Sequence, residues 1–165
     1  MSDHLTEAKA IHIVKADFKS VRDVFAVISL INEYRNDPMG GNMPVLTPEA
    51  EIALIDGLKN HPVSIVLLAL CNEEAVGLIV CLLGFSTFKA KMLLNVHDII
   101  VKKQYRRQGI GKKLLFEAAK LARDADCCRL TLEVRNDNHD AKQLYSSVGF
   151  GPCDDPMEFW IMPLE

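Results

Sequence analysis

The sequence predicts one domain, residues 1–165, built as a mixed α/β sandwich, and three observations carry that prediction. Two apolar segments, residues 63–70 and 75–85, flank the turn Asn72-Glu73-Glu74, the arrangement of an antiparallel hairpin. A third apolar strand, 93–101, leads through a helical pattern to an alternating segment at 129–134, so those two strands run locally parallel. No internal repeat, low-complexity tract or linker divides the 165 residues, a length that supports one hydrophobic core.

Residues 10–16 read as a short opening strand. A helix is expected from Asp17, with Asp17 as N-cap and Phe18, Val21, Phe25, Ile28 and Ile31 as an apolar stripe at helical spacing. It gives out near Asn36-Asp37-Pro38, and Met39-Gly40-Gly41-Asn42 reads as a flexible loop. Thr47-Pro48-Glu49 starts a second helix with a cap, a proline at the first helical position and an acid in the first turn, and Asn60-His61-Pro62 ends it. After the three-strand meander, a helix beginning near Gly109 carries Leu114, Leu115, Ala118, Leu121 and Ala122 on one side. Residues 139–148 form a short helix ended by Gly149, and residues 158–162 are expected to close the sheet as its last strand.

Composition narrows the class. Apolar residues make up 49% and charged residues 25%, the balance of a soluble globular protein. A net charge of −3 gives no whole-protein attraction to nucleic acid or to an anionic membrane, so any anion site must be local. The opening Met1-Ser2-Asp3-His4 lacks the basic-then-apolar pattern of a secretory signal, and the apolar stretches at 63–71 and 76–85 are too short to span a bilayer as helices. Five cysteines is an odd number, Cys127 and Cys128 are adjacent, and no C-x-x-C occurs. Buried reduced thiols in a cytoplasmic protein, without disulfides or a metal site, are the expectation.

The segment Arg106-Arg107-Gln108-Gly109-Ile110-Gly111 stands between a buried strand and a helix. Glycines there let the chain turn tightly and expose successive N–H groups at the helix N-terminus, which favours a phosphate or pyrophosphate. Residues 102–113 add six basic side chains, Lys102, Lys103, Arg106, Arg107, Lys112 and Lys113, in an otherwise acidic protein. Two glycines alone are equally the mark of an ordinary strand-to-helix turn with a solvated basic face. The pattern is neither G-x-G-x-x-G nor a Walker loop, so neither a dinucleotide fold nor an NTPase is indicated.

Arg106-x-x-Gly109-x-Gly111, preceded by a strand ending in Val101 and by Tyr105, resembles the Arg/Gln-x-x-Gly-x-Gly/Ala motif of the GNAT acetyltransferase superfamily. Downstream, the stretch from Asn138 through Ala141, Leu144 and Tyr145 to Gly149-Phe150 resembles that family's Asn-x-x-Ala-x-x-Leu-Tyr-x-x-x-Gly-Phe. The likeness covers residues 63–150 well and the N-terminal third loosely. It implies a GNAT-type fold, a mostly antiparallel central sheet flanked by helices, and acetyl-CoA as co-substrate. It further implies that backbone groups of Ile99, Ile100 and Val101 pair with the pantetheine arm. N–H groups from Arg107, Gln108, Gly109, Ile110, Gly111 and Lys112 would hold the pyrophosphate, with the Arg107 and Lys112 side chains nearby, and Arg106 of the motif counts among the cofactor-binding residues. Asn138 would bond the cofactor arm, and Tyr145 would sit by the sulfur.

An amine acceptor attacks the thioester carbonyl directly, so no covalent enzyme intermediate is required. Charge on the carbonyl oxygen then calls for a backbone N–H on the 99–101 segment, and the leaving thiolate calls for a proton, for which the Tyr145 phenol is the candidate acid. Five cysteines leave a ping-pong route open, although no Cys/His arrangement supports it. His97 and Asp98 interrupt the apolar strand just before that segment, with side chains expected on opposite faces. His97 has the right intrinsic pKa for a base, against the alternative of a satisfied core histidine. Glu133 on the neighbouring strand, or a water chain, is the alternative base.

Residues 77–111 are most similar to the diamine (spermidine/spermine) acetyltransferases, whose strand carries Glu-Asp where this chain has His97-Asp98. Their first helix ends in a Tyr-Glu pair that falls at Tyr34-Arg35. Two acidic positions suited to a polycation have thus become His and Arg, which disfavours polyamines and points to an acceptor bearing a carboxylate or phosphate. The plain alternative for Arg35 is a solvated helix-end cation.

Met39-Gly40-Gly41 is either a lip over the acceptor or a plain connection. Trp160 is expected in the last strand or at a subunit contact, and residues 76–88 are apolar enough to suggest partial burial by a second subunit, as in the homodimers this family resembles. Tyr34, Arg35, His97 and Glu133 are the candidate acceptor-binding residues. Small-molecule amine acetylation, protein or peptide N-acetylation, and non-catalytic acyl-CoA sensing are the three functions in contention. Tyr145 argues against the last, since binding alone needs no proton donor beside sulfur.

Overall fold

The computed structural model describes residues 10–154 and 157–164. The predicted meander forms the middle of a five-stranded sheet ordered β1-β2-β3-β4-β5. Strands β1 (Ile11–Lys15), β2 (Ser64–Cys71), β3 (Glu74–Ser86) and β4 (Lys91–Val101) pair antiparallel, and β5 (Leu130–Leu132) lies parallel to β4. The β2–β3 turn is tight because Asn72 and Glu73 both take left-handed backbone, φ +47° and +65°, which suits the strand twist of a two-residue hairpin. Helices α1 (Val21–Asn36) and α2 (Pro48–Asn60) cover one face, and α3 (Ile110–Asp124) and α4 (His139–Ser147) cover the other. The opening Met1-Ser2-Asp3-His4 lies outside the described residues, among which no helix is long and apolar enough to cross a membrane.

Each face of the sheet has its own core. Leu67, Ile79, Leu94 and Val96 belong with Leu114 and Leu115 of α3, while Leu68, Leu78 and Val80 belong with Val27 and Leu30 of α1. Truncating a leucine as buried as Leu68 or Leu78 to alanine costs about 2–5 kcal/mol. Burial on both faces makes β2 and β3 nearly unbroken apolar runs. The chain's own helices therefore account for the apolar character of residues 76–81, and of the large apolar side chains at 82–88 Phe85 and Phe88 stand exposed. Cys71 and Cys81 are buried free thiols as expected, but Cys127 and Cys128 are half-buried and Cys153 is exposed.

α1 begins one turn later than Asp17. Ser20 is the N-cap, accepting from the Asp23 N–H at 3.3 Å, while the Asp17 side chain accepts from the Lys19 N–H at 2.9 Å. The buried stripe is Asp23, Val27, Leu30 and Ile31, and Val21 and Phe25 of the expected stripe are 85% and 71% exposed. Two apolar stripes of the same period compete on this helix, and the sheet takes the one containing Asp23 because that carboxylate arrives satisfied. Burial alone would raise its pKa, but the Asp17 N–H at 3.0 Å and the Arg22 and Ser20 side chains outweigh that and hold it low.

Three further expectations need correction. Residues 39–42 are tied down: Asp37 accepts from the Met39 N–H at 2.8 Å, the Met43 N–H donates to the Arg35 carbonyl at 2.7 Å, and Pro38–Gly40 form a 3-10 turn. Gly40 backs onto α1 so closely that an added Cβ would collide with the Tyr34 carbonyl. The last strand is absent from the described tail, residues 157–164, where the large apolar side chains, Trp160 among them, are 77–87% exposed. The alternating pattern is there, but β5 is three residues long and offers little edge to pair with.

The third concerns β4. Its ladder with β3 slips between Val80 and Cys81: Val80 faces Asp98 and Cys81 faces Val96, leaving His97 as the extra residue of a bulge. The extra residue reverses the pleat. Leu94 and Val96 join the α3 core, whereas Ile100 joins the α1 core and Asp98 lines a cavity on that same side. His97 and Asp98 therefore line one cavity together instead of facing opposite sides.

Candidate active site

The N-terminus of α3 is a row of open donors. Gly109 is the N-cap with φ +78°, its carbonyl accepts from the Lys113 N–H at 3.1 Å, and no side-chain hydrogen bond caps the helix. The first-turn amides of Ile110, Gly111 and Lys112 have no intrahelical acceptor and point outward from the positive end of the dipole. Arg107, at φ +65°, gives the preceding turn its shape, and its guanidinium lies 3.4 Å from Asp140 of α4. Lys112 Nζ lies 5.6 Å from the centre of the Phe116 ring, and Gln108 Nε2 donates to the Gln104 carbonyl at 3.3 Å. At Gly111 an added Cβ would stand 2.8 Å from Leu144 Cδ2, so glycine there lets α4 pack against α3. That packing places Tyr145, the next residue along α4.

β4 supplies an open edge. It pairs with β5 only through Leu94, Asn95 and Val96, and among the described residues no strand pairs with that side beyond. The Lys102 N–H bonds the Val76 carbonyl at 2.9 Å, which fixes the phase of the β3–β4 ladder. By alternation Asp98 and Ile100 direct their backbone groups to β3, and Ile99 and Val101 direct theirs to the open edge. Of the expected trio, Ile100 is thus spent on the sheet, its backbone toward β3 and its side chain in the α1 core.

Arg106 also departs from expectation. Its Nε donates to the Val101 carbonyl at 2.9 Å and its terminal nitrogen meets Asp37 at 2.9 Å, so the side chain braces the end of α1 instead of facing the donor row. Burial would raise the Asp37 pKa, but Arg106 and the Met39 N–H outweigh that and lower it. Asn138 caps α4, accepting from the Ala141 N–H at 3.1 Å, which leaves its Nδ2 as the half free of the cap.

Where β4 and α4 converge, three ionisable groups influence one another. Burial first, and the neighbouring Tyr34 second, push the Tyr145 phenol up to about 12; its ring packs against Phe150 at 5.9 Å. Tyr34 is raised by burial and by Asp98 and Asp37, against an opposing pull from Arg135. Asp98 is raised by burial, opposed by His97. A neutral phenol and a carboxylate held above its ordinary range are the pairing expected of an acid and a base with separate roles.

Beside them lies a cavity of about 280 Å³ between α1, α2 and the bulge, walled by Ile31, Leu54, Leu58, Val80 and Leu82, with His61, His97 and Asp98 as its polar groups. Three expected acceptor residues, Tyr34, Arg35 and Glu133, stand apart from that lining. Glu133 reaches back to Asn95 Nδ2 at 3.5 Å, and Arg35 donates from Nε to the Pro44 carbonyl at 3.1 Å. Sequence reasoning passed over Arg135, whose bidentate pair with Asp137 at 3.0 and 2.8 Å stands within electrostatic reach of Tyr34. It also passed over His61, legible only as a helix end. Nothing in the sequence marks Asp98 as a base facing the same cavity as His97, because a bulge leaves no trace in an apolar run. Among the described residues no group of three or more His, Cys, Asp and Glu is placed to hold a metal ion.

Comparison with known proteins shows the family. Residues 28–150 match the model of the acetyltransferase (GNAT) family. An uncharacterized N-acetyltransferase of Bacillus subtilis, YhfO, is 30% identical over 134 residues, 78% of this chain and 83% of that protein. The thialysine N-epsilon-acetyltransferase of Bos taurus is 39% identical over 66 residues, but the match spans only 40% of this chain and 38% of that relative's length. A solved structure described as a probable acetyltransferase superposes with a TM-score of 0.78 at 26% identity, covering 93% of this chain and 98% of its own. An open helix N-terminus, an open strand edge and a half-buried tyrosine thus occur in a chain that belongs to the acetyltransferase (GNAT) family.

Proposed function

We propose that the protein transfers an acetyl group from acetyl-CoA to a primary amine of a small molecule, by direct attack within a ternary complex. The observation that supports this most is the continuity of the site: the α3 donor row opens onto the bare edge of β4, which ends beside Tyr145, Tyr34 and Asp98. A ligand with a pyrophosphate at one end and an amide-bearing arm fits that path. Acetyl-CoA, the family's co-substrate, supplies an activated acyl thioester. The Ile99 N–H faces the open edge, in position to donate a hydrogen bond to the acyl oxygen as negative charge develops on it. Tyr145, kept protonated by burial, donates a proton to the departing sulfur. Asp98, rather than Glu133, takes the proton from the acceptor's ammonium, with His97 beside it.

Calorimetric titration with acetyl-CoA, followed by thiol release assayed over pooled amines, tests the reading. Saturable binding with release from at least one amine pool is expected. Saturable binding with release only in the presence of peptides would move the acceptor to the protein class, and binding without any release would make the chain a sensor. No binding would sink the reading altogether.

A further inference from the structure

We infer that the acceptor is a compact monoamine with an apolar body, held in the cavity between α1, α2 and the β4 bulge, with its ammonium at Asp98. This rests on the acetyltransferase reading above and adds the chemistry of the acceptor to it.

The cavity's composition decides the class. Five aliphatic side chains, from Ile31, Leu54, Leu58, Val80 and Leu82, make its walls, and among the lining residues Asp98 is the one carboxylate. Ammonium groups are stripped of water only where a counter-charge receives them; a second one among these walls would be left unpaired, which is costly. Polyamines and polycationic sugars are therefore disfavoured. Anionic acceptors fare no better, because the guanidinium expected to receive them, Arg35, is turned to the Pro44 carbonyl and does not line the cavity. His61 and His97 can hydrogen-bond an amine or hydroxyl, but no lysine or arginine lines the cavity to receive a carboxylate.

Size limits it further. A volume of about 280 Å³ falls just below the roughly 300–1,000 Å³ of sites that enclose drug-sized ligands. That is room for a short alkyl or single-ring amine. Position completes the assignment. Asp98 belongs both to this cavity and to the group interacting with Tyr34, which in turn interacts with Tyr145, so an ammonium at Asp98 lies toward the proton-transfer residues.

The test is a homologous series of linear alkylamines, run against a diamine, a tetraamine, an aminoglycoside and an amino acid. Thiol release from acetyl-CoA is measured alongside calorimetric binding of each amine to the acetyl-CoA-loaded protein. KM and Kd should each fall about fourfold per added methylene until the cavity is filled, the ratio that burial of one methylene gives. Leu58→Phe should shorten the preferred chain and Leu54→Ala should lengthen it, with melting curves confirming that both variants fold. Turnover of the polycations or the amino acid with no gain along the alkyl series would overturn the inference and leave the acetyltransferase reading standing. Alkylamine binding with the predicted chain dependence but no turnover would uphold the cavity and overturn that reading. Absence of alkylamine binding at any chain length would overturn the inference.

Discussion

Arg106 and Asp37 meet at 2.9 Å, and through that contact the end of α1 is fastened to the turn that leads into α3. The same guanidinium holds the Val101 carbonyl at the end of the open strand edge. A residue that the family motif places with the cofactor therefore ties the acceptor side of the molecule to the cofactor side.

Arg106→Gln should behave as loss of a brace. The pair is partly exposed, so its removal should cost about 1 kcal/mol or less, a fall in melting temperature of roughly 2–4 °C. Acetyl-CoA affinity by calorimetry should change less than about threefold. A tenfold loss of affinity with unchanged melting would return Arg106 to the cofactor. Because Asp37 is held below its ordinary pKa, the pair's contribution is present above about pH 4 and is lost as pH falls through the lowered value.

Tyr145→Phe should lower kcat about 100-fold or more while leaving the acetyl-CoA Kd nearly unchanged, since only the phenol oxygen is removed. With the phenol pushed up to about 12, Tyr145 stays protonated across the working range. Any alkaline limb of the wild-type rate profile near pH 10 would therefore belong to another group. Equal turnover in the variant would remove Tyr145 from the mechanism.

Asp98 must be ionised to accept a proton, so activity should rise with pH through its folded-state pKa. Burial raises that pKa above the ordinary 3.8, which sets the acid limb of kcat/KM higher than an exposed carboxylate would. Asp98→Asn should abolish the limb and most of the rate. The stability effect has the opposite sign: a carboxyl with a raised folded pKa loses stability as pH climbs through it, so the asparagine variant should melt no lower than wild type at pH 7. An unchanged acid limb in Asp98→Asn would assign it elsewhere, with His97→Gln the next variant to profile.

Gly40→Ala introduces a Cβ against the Tyr34 carbonyl, and backbone on both sides must give way. A cost of about 1–3 kcal/mol in thermal or denaturant unfolding is expected. Because Tyr34 sits on the displaced turn, KM for the amine should rise more than the Kd for acetyl-CoA.

Much of this molecule could be read from sequence because its signals were local. Thr47-Pro48 starts α2, the α3 stripe through Leu114, Leu115, Ala118 and Ala122 is buried as its spacing implies, and Gly109 caps the helix at the motif. What escaped depended on choices between equivalent patterns or on partners distant in sequence. Two stripes of one period competed on α1, and only the sheet contact selects Val27 and Leu30 over Val21 and Phe25. Arg35 and Arg106 kept their charge in the reading but not their direction, since their acceptors at Pro44 and Asp37 are fixed by tertiary packing. The tail pattern at 158–162 implied a strand, but pairing also needs an edge, and the described tail has none.

The bulge at His97 makes β4 depend on a count as well as on composition. Deleting His97 would join Val96 to Asp98 in regular alternation, so Leu94 and Val96 would stay toward α3 and Asp98 and Ile100 toward α1. The amides of Ile99 and Val101 would keep facing outward, and only the imidazole would be lost. Deleting Ile99 instead has no such slack and would turn Ile100 out of the α1 core. In a library of single-residue deletions, position 97 should stand out as tolerant within a strand that otherwise tolerates none.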